Sequence, residues 1–189
     1  MSEPSDSAVN VGAAALRALH EARVAAELAA ADAMLPGSDA TPSKGDPFAA
    51  IVVVKGLPGP AEASGKPALS GADGEAARKA LDALRWDDAS VFFILSRPGA
   101  APDQASRAAR VRRQIEAVDP ELVLAVDAEA AHDTAVAFGL SSLGFDEVVR
   151  AGGRRFVACD GLEASLGDPA RKRRVWAQLK RVTPPGSVY

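Results

Sequence analysis

Cysteine is almost absent from this sequence, since Cys159 is the single one among 189 residues. One thiol cannot form an internal disulfide, and it cannot by itself supply the thiolates of an iron–sulfur cluster or a cysteine zinc site. We therefore expect no cofactor, no bound metal and a reducing, cytoplasmic compartment. Cys159 ends an apolar run, which favours a buried structural thiol.

Long apolar runs are also missing. No run approaches the ~20 apolar residues that a membrane-spanning helix needs, and the first ten residues, MSEPSDSAVN, lack the basic and apolar parts of a signal peptide. We expect a soluble protein with no membrane partner. With 48% hydrophobic residues, the chain is long enough to bury one core, which favours one domain.

The charge is unevenly distributed along the chain. The formal net charge is −3, yet residues 150–189 contain nine Lys and Arg against three Asp and Glu, and the rest contains thirteen against twenty-two. Much of the basic excess lies in the segment RKRRVWAQLKR. Such a segment is either the solvated face of a helix or a surface that contacts a phosphate backbone.

The hydrophobic pattern alternates between strands and helices after a proline- and glycine-rich linker at 36–48. A long helix is predicted first, at 11–35, from the helical spacing of Leu16, Leu19, Val24 and Leu28. Uniformly apolar runs predict buried strands, and proline-free stretches between them predict helices. The predicted strands are 50–54, 91–95 and 122–126, with two short strands around Gly152–Gly153, and the predicted helices between them are 72–85, 103–118 and 128–138.

This alternation predicts an α/β fold, because parallel strands need helical crossovers. We expect a three-layer α/β/α sandwich with a mostly parallel central sheet of about four strands. One domain would span residues 11–182, between a flexible N-terminus at 1–10 and a tail at 183–189. The last helix is predicted to begin after Asp168, an N-cap residue followed by Pro169, and to run to about Val182.

The loop after the first apolar strand is the first candidate for a site. In open parallel sheets, ligands bind beyond the carboxyl ends of the strands. The sequence there is KGLPGPAEASGKPALSG, at 55–71, and it matches neither the dinucleotide-binding glycine pattern nor the P-loop. Before any resemblance is considered, a plain structural loop is therefore the favoured interpretation.

The order of motifs resembles the uracil-DNA glycosylase superfamily, and most closely its bacterial iron–sulfur-type family. KGLPG at 55–59 aligns with that family's G-E-x-P-G, and GKPALSG at 65–71 aligns with its G-R-P-F-x-G. Arg97 and Pro98 correspond to a short R-P loop. The closing stretch RRFVACDGLEASLGDPARKRRVWAQLKR aligns without a gap with the family's strand, H-P-S loop, D-P pair and basic helix. The resemblance implies a glycosylase-like fold and contact with DNA.

The catalytic side chains implied by the resemblance are missing. The family's histidine falls on Gly161, its acidic residue on Gly56, its stacking phenylalanine on Ala68, and its asparagine on Leu95 or Ser96. The cluster-binding cysteines have no counterparts either. We therefore predict no catalytic residue and treat nine positions as a vestigial base pocket: Gly56, Leu57, Pro58, Gly59, Ala68, Ser96, Asp160, Gly161 and Glu163.

Few residues are available as substitutes for the lost side chains. His20 and His132 fall within predicted helices, where packing is the simpler role. Asp160 and Glu163 flank the place of the lost histidine, and a carboxylate there would stabilise a cationic sugar but repel the uracil anion. Asp73 and Asp88 are interpreted as helix N-caps.

Three functions stay open at this stage. The first is a glycosylase-like protein that has lost uracil excision and binds DNA weakly and without sequence preference, through Arg171, Lys172, Arg173 and Arg174. The second is an active DNA glycosylase with an atypical catalytic residue or base specificity. The third is a protein-interaction module on a glycosylase scaffold, with an unknown protein partner.

Overall fold

A computed structural model describes residues 6–35, 41–86, 91–99 and 103–182, with side chains from residue 11 onwards. The predicted tail at 183–189 lies outside these residues, as does Asp88. The helices are α1 (Asp6–Asp32), α2 (Pro60–Ala63), α3 (Ala72–Ala83), α4 (Gln104–Val118), α5 (Ala128–Phe138), α6 (Leu162–Ser165) and α7 (Pro169–Leu179), with a 3-10 turn at Lys180–Val182. The strands are β1 (Lys44–Gly45), β2 (Ile51–Lys55), β3 (Val91–Leu95), β4 (Leu122–Ala125), β5 (Val148–Ala151) and β6 (Arg154–Ala158).

One sheet of six strands forms the centre, in the order β1-β3-β2-β4-β6-β5. The predicted α/β class is confirmed, but the prediction of about four strands in a mostly parallel sheet is corrected to six strands in a mixed sheet. The four inner strands are parallel, and β1 and β5 pair antiparallel at the two edges. The edge strand β1 was missed because it has only two residues and forms no apolar run. β5 and β6 are the two short strands predicted around Gly152–Gly153, although β5 is half exposed.

Helices cover both faces of the sheet. On one face, α3, α6 and α7 pack against side chains such as Val53, Phe93 and Leu124. On the other face, α1, α4 and α5 pack against Val52 and Val123, among others. The inner strands are buried on both faces, which is why their sequences are continuously apolar rather than alternating.

Helix α1 begins at Asp6, earlier than the predicted start at residue 11, and only its C-terminal half is packed. Val24 is buried, whereas Leu16 and Leu19 are exposed. The predicted helix is therefore present, but the apolar residues whose spacing predicted it are not all buried. The packed half lies against α4, where Asp32 of α1 accepts hydrogen bonds from the buried Arg110.

The segment predicted as a linker at 36–48 includes the edge strand β1. Gly45 in β1 has φ +144°, and a Cβ there would lie 2.4 Å from the carbonyl oxygen of Val91, so glycine is required. After β1, the Phe48 ring stacks on the ring of His20 at 4.3 Å between centroids. His20 lies in α1 and has a packing role, as predicted. Its contact with Phe48 joins the segment after β1 to the helix.

The strand order places a crevice at the carboxyl ends of β2 and β4. The chain passes from β2 to β3 on one side and then returns past β2 to β4 on the other. The loops that follow β2 and β4 therefore diverge and leave a depression between them, the usual position of ligands in such sheets. Within the described ranges, no helix has the length and apolarity needed to cross a membrane.

Candidate functional site

A cavity of about 340 Å³ opens at this crevice. The end of β2 and the loops after β2, β4 and β6 contribute its walls, together with residues of α3, α5 and α6. The lining residues are Lys55, Leu57, Pro58, Asp73, Val126, Asp127, Glu129, Gly161, Glu163 and Ala164. We call this the carboxyl-end cavity.

Lys55, the last residue of β2, is the charged centre of the cavity. It is 4% exposed, and its Nζ lies 2.6 Å from Asp73 Oδ2, 2.9 Å from Glu163 Oε2 and 3.4 Å from Glu62 Oε2. Asp73 and Glu62 are buried with it, whereas the Glu163 side chain is 46% exposed. A buried ammonium is stable only when it is paired, and here three carboxylates surround it.

The pKa of Lys55 is raised above its usual value of 10.5 by these partners. Burial alone lowers this pKa, but the hydrogen bonds to Asp73 and Glu163, together with the charges of Asp73 and Glu62, outweigh burial. At neutral pH Lys55 is therefore a cation whose charge is neutralised inside the protein, and it is not a neutral amine available as a base.

The turn after β2 positions Glu62 beside Lys55. Gly59 is the N-cap of α2 and Pro60 its first residue, an order typical of helix starts. Glu62 Oε2 accepts the backbone N–H of Gly59 at 2.8 Å as well as the Lys55 ammonium. A Cβ on Gly59 would lie 2.7 Å from Lys55 Nζ and 2.8 Å from Glu163 Oε1, so any side chain there would have to displace the ends of these two side chains.

Asp127 joins the loops that follow β2 and β4. It caps α5 by accepting the N–H of Ala130 at 2.7 Å, and it accepts the N–H of Gly56 at 2.8 Å. Burial raises the pKa of Asp127, although both backbone hydrogen bonds oppose this shift. A Cβ on Gly56 would lie 2.5 Å from Glu129 Cβ and 2.6 Å from Asp127 Oδ1. The position that the resemblance assigns to an acidic side chain thus has no room for any side chain.

Gly161 lines the cavity at the position of the family's histidine. It precedes α6 in the left-handed region, with φ +74°. A side chain would be strained there by the backbone, although the nearest atom to a Cβ, Ala164 Cβ, is 3.4 Å away.

The nine positions predicted as a vestigial pocket do not all come together. Leu57, Pro58, Gly161 and Glu163 line the cavity, and Gly56 and Gly59 lie against its charged residues. The other three lie elsewhere: Ala68 is fully buried in the core, Ser96 is buried against Asp133, and Asp160 faces α7.

Five charged residues near the cavity are not among the site residues predicted from the sequence: Lys55, Glu62, Asp73, Asp127 and Glu129. Asp73 was interpreted as the N-cap of α3, but Gly71 occupies that position and the Asp73 carboxylate contacts Lys55 instead. A signal was present, because a lysine at the end of a fully apolar strand needs a buried partner.

Asp133 of α5 is a further buried carboxylate, and it holds the loop after β3 in place. Its carboxylate accepts a hydrogen bond from Ser96 Oγ at 2.7 Å and two from the Arg97 guanidinium at 2.8 and 3.1 Å. The pKa of Arg97 is raised, first by this hydrogen bond and despite its partial burial. His132, beside Asp133 in α5, is exposed, and its ring lies 3.4 Å from the Gln104 side-chain nitrogen, in keeping with a surface role.

α7 begins after Asp168, as predicted. The four basic residues on it that are predicted to contact nucleic acid form two pairs with different surroundings. Arg171 and Arg174 lie 3.7 and 3.5 Å from Asp160 Oδ2. Gln178 shares that face of the helix and accepts the Asp160 N–H at 2.9 Å. Lys172 and Arg173 are exposed on another face.

Cys159 follows β6 and is fully buried, and burial raises the pKa of its thiol to about 12. The thiol is therefore protonated and inert at neutral pH. Among the residues that the structure describes, no cluster of His, Cys, Asp and Glu is arranged to hold a metal ion. In the comparisons with known proteins, no family model matches the chain and no curated protein is similar to it.

Proposed function

We propose that this chain is a uracil-DNA glycosylase-like protein that does not excise uracil. The observation that carries the proposal is the charge of the carboxyl-end cavity. Its lining contains one cation, Lys55, and four carboxylates, and the cation is already neutralised by its ion pairs. None of the ten lining residues is a histidine, an amide or an aromatic residue.

Uracil excision needs the opposite electrostatics. When the glycosidic bond breaks, negative charge develops on the departing base, and a glycosylase must stabilise it with donors or cations after the base has been flipped out. Carboxylates such as Glu129 and Glu163 repel that charge. They would favour a cationic sugar, but they leave the base unassisted.

The backbone at two positions also supports the proposal, because it differs from what the family's side chains would need. Gly56 lies against Asp127 and Glu129 with no space for a side chain, and Gly161 has a left-handed backbone. Replacing the family's side chains at these positions one by one therefore does not restore the geometry.

The test is release of uracil from single- and double-stranded oligonucleotides, detected as strand cleavage after alkali. We expect cleavage by the native protein to equal the buffer control, and cleavage by the Gly161→His variant to remain at that level. An active uracil-DNA glycosylase from another source is the positive control. Robust cleavage by the native protein would overturn the proposal.

An active glycosylase with an atypical catalytic residue is the enzymatic alternative. It is favoured by Glu163, which is half exposed at the cavity mouth, and by the raised pKa of Asp127, which suits a proton donor. A panel of oligonucleotides with alkylated, deaminated and oxidised bases tests this alternative. Release of any base that disappears in the Glu163→Gln or Asp127→Asn variant would establish it.

Weak contact with nucleic acid is the binding function that we propose for α7. Lys172 and Arg173 are exposed, whereas Arg171 and Arg174 have the nearby Asp160 carboxylate as a partner. We expect non-specific binding in the ~10⁻⁴–10⁻⁶ M range that weakens steeply with salt, because neutralised phosphates release counterions. Fluorescence anisotropy of labelled single- and double-stranded DNA, compared with the Lys172→Glu/Arg173→Glu variant, measures it. If both proteins bind DNA equally, or if neither binds it, α7 does not have this function.

A further inference from the structure

A groove of about 600 Å³ lies between α3 and α7, on the face of the sheet that these helices cover. It is separate from the carboxyl-end cavity, since the two share no lining residue. Both helices pack on the sheet, but they contact α6 more than they contact each other. The groove is lined by Ala72, Glu75, Ala76, Lys79, Ala80, Leu162, Ser165, Leu166, Pro169, Lys172, Arg173, Val175, Trp176 and Leu179.

Small side chains on α3 keep this groove open. Ala72, Ala76 and Ala80 recur every fourth residue and therefore form one ridge along the helix. The opposite wall carries large apolar side chains, among them Trp176, which is half-buried, and Leu166, which is 42% exposed. Nine of the fourteen lining residues are apolar, and we call these nine the floor of the groove.

The rim of the groove is basic. Lys79 borders it on α3, and Lys172 and Arg173 border it on α7. Glu75 is the only acidic residue of the lining, and it lies 3.9 Å from Lys79 in an exposed pair. Within the described part of the chain, Lys172 and Arg173 make no ion pair. This local excess of positive charge contrasts with the net charge of −3 for the whole chain.

We propose that the groove binds an acidic amphipathic helix of a partner protein. The apolar floor fits leucine-like anchors spaced at i, i+3 or i+4, and i+7, and the basic rim fits acidic residues beside those anchors. With 12 residues in α3 and 11 in α7, each wall is about 16–18 Å long, which matches a partner helix of about three turns.

The apolar floor favours a protein helix over nucleic acid. A phosphate backbone needs cations but no apolar trough, and non-specific binding comes almost entirely from charge. Bases stack on aromatic rings, and the groove offers one ring, Trp176. Its other apolar side chains are aliphatic, and they match leucine better than a base.

The probe is a labelled 14-residue peptide with leucines at i, i+3, i+4 and i+7 and glutamates at the other positions. We expect it to bind with a dissociation constant below about 100 μM, equivalent to roughly −5.5 kcal/mol. A peptide with alanine in place of every leucine keeps the charge and should bind at least tenfold more weakly. Absence of leucine-peptide binding at 1 mM would overturn the proposal, as would equal binding of the two peptides.

Two variants test whether the peptide binds in the groove: one reverses the charge of the basic rim, and the other fills the apolar floor. Lys172→Glu/Arg173→Glu should weaken peptide binding at least tenfold by reversing the rim charge, and Ala76→Leu should weaken it at least tenfold by filling the floor. The control Lys66→Glu/Arg150→Glu reverses two exposed cations outside the groove and should leave affinity within twofold. Thermal unfolding checks that each variant is folded. Equal affinity for the native, rim and floor proteins would overturn the proposal.

Other occupants are distinguished in the same experiment. Oligonucleotide binding that is lost in the Ala76→Leu variant as well as in the rim variant would assign the groove, and not only its exposed cations, to nucleic acid. A native dimer in sedimentation that Ala76→Leu dissociates would assign it to a second copy. A tenfold rise in peptide affinity when residues 183–189 are removed would assign it to that segment. Each of these results would replace the proposed partner.

Discussion

The carboxyl-end cavity and the α3/α7 groove use charge in opposite ways. In the cavity, Lys55 Nζ lies within 3.4 Å of an oxygen of each of three carboxylates, so the charged groups satisfy each other inside the protein. In the groove, an apolar floor is bordered by cations, and two of them, Lys172 and Arg173, have no anionic partner in the described structure.

This difference separates internal support from recognition. A buried ion cluster that is complete within one chain holds loops together, and any ligand that binds there must compete with its internal partners. A rim of solvated cations beside an apolar floor has no such competition. Charge at a surface steers and selects partners, whereas the buried apolar contacts provide most of the affinity. The groove is therefore better suited to a macromolecular partner than the cavity is.

Removing the cation of the cavity should have the largest effect. The Lys55→Ala variant leaves Asp73 and Glu62 as unpaired buried carboxylates, and we expect the free energy of unfolding to fall by about 3–5 kcal/mol. Urea denaturation at neutral pH measures the change. As a control, Lys79→Ala removes an exposed lysine of the groove rim and should change stability by less than about 0.5 kcal/mol. Similar small losses in both variants would show that the cluster is not a structural centre.

The same cluster predicts a loss of stability at high pH. The pKa of Lys55 is higher in the folded state than its usual value of 10.5, so its contribution is complete below pH 10.5 and is lost as pH rises through the raised pKa. Urea denaturation of the native protein and of the Lys55→Met variant, measured from neutral pH to above pH 10.5, tests whether stability falls in this way. A native protein that loses no more stability than the variant would contradict it.

Filling the space beside Gly56 should have a smaller effect. In the Gly56→Ala variant, the new methyl group must displace the side chains of Asp127 and Glu129, and we expect a cost of about 1–3 kcal/mol from overpacking. Gly167→Ala is the matched control, because no atom lies within 4 Å of a Cβ there. Thermal unfolding compares the two. Equal stability would mean that the cavity adapts and that a side chain can be restored at Gly56.

Asp127 should make the free energy of unfolding depend modestly on pH. A paired carboxylate usually adds stability as pH rises, whereas Asp127 should remove it. Its folded-state pKa is above the usual 3.8 because of burial, so stability should decrease as pH rises from 3.8 through the raised pKa. One such group contributes a slope of at most about 1.4 kcal/mol per pH unit. The Asp127→Asn variant should lack this component when its unfolding is measured from pH 3.5 to 7, and parallel curves would refute the assignment.

The smallest expected change concerns the charges of α7 that face Asp160. In the Asp160→Asn variant, Arg171 and Arg174 lose a solvent-exposed partner, which should cost less than about 1 kcal/mol of stability. The freed cations should strengthen DNA binding at low salt and steepen its salt dependence. Asp146→Asn removes the same charge beside Arg181 and is the control. If both variants bind DNA equally, the Asp160 pairing does not limit that contact.

Local sequence patterns determined the α/β class, the buried strands and most helix positions. β2, β3 and β4 were predictable because a strand covered on both faces must be apolar throughout, and α5 occupies the predicted range 128–138. The start of α7 was predictable from Asp168 and Pro169, because N-caps act through hydrogen bonds within one helical turn.

Only the tertiary structure decided which charged residues meet. Lys55, Asp73 and Glu163 are far apart in sequence, and their contact depends on three chain segments that converge at the carboxyl ends of the strands. The edge strand β1 and the half-packed α1 were likewise set by non-local packing, which leaves no local hydrophobic period. The α3/α7 groove has the same origin, since the alanines of α3 become an open wall only because α7 packs on the same face of the sheet without closing over them.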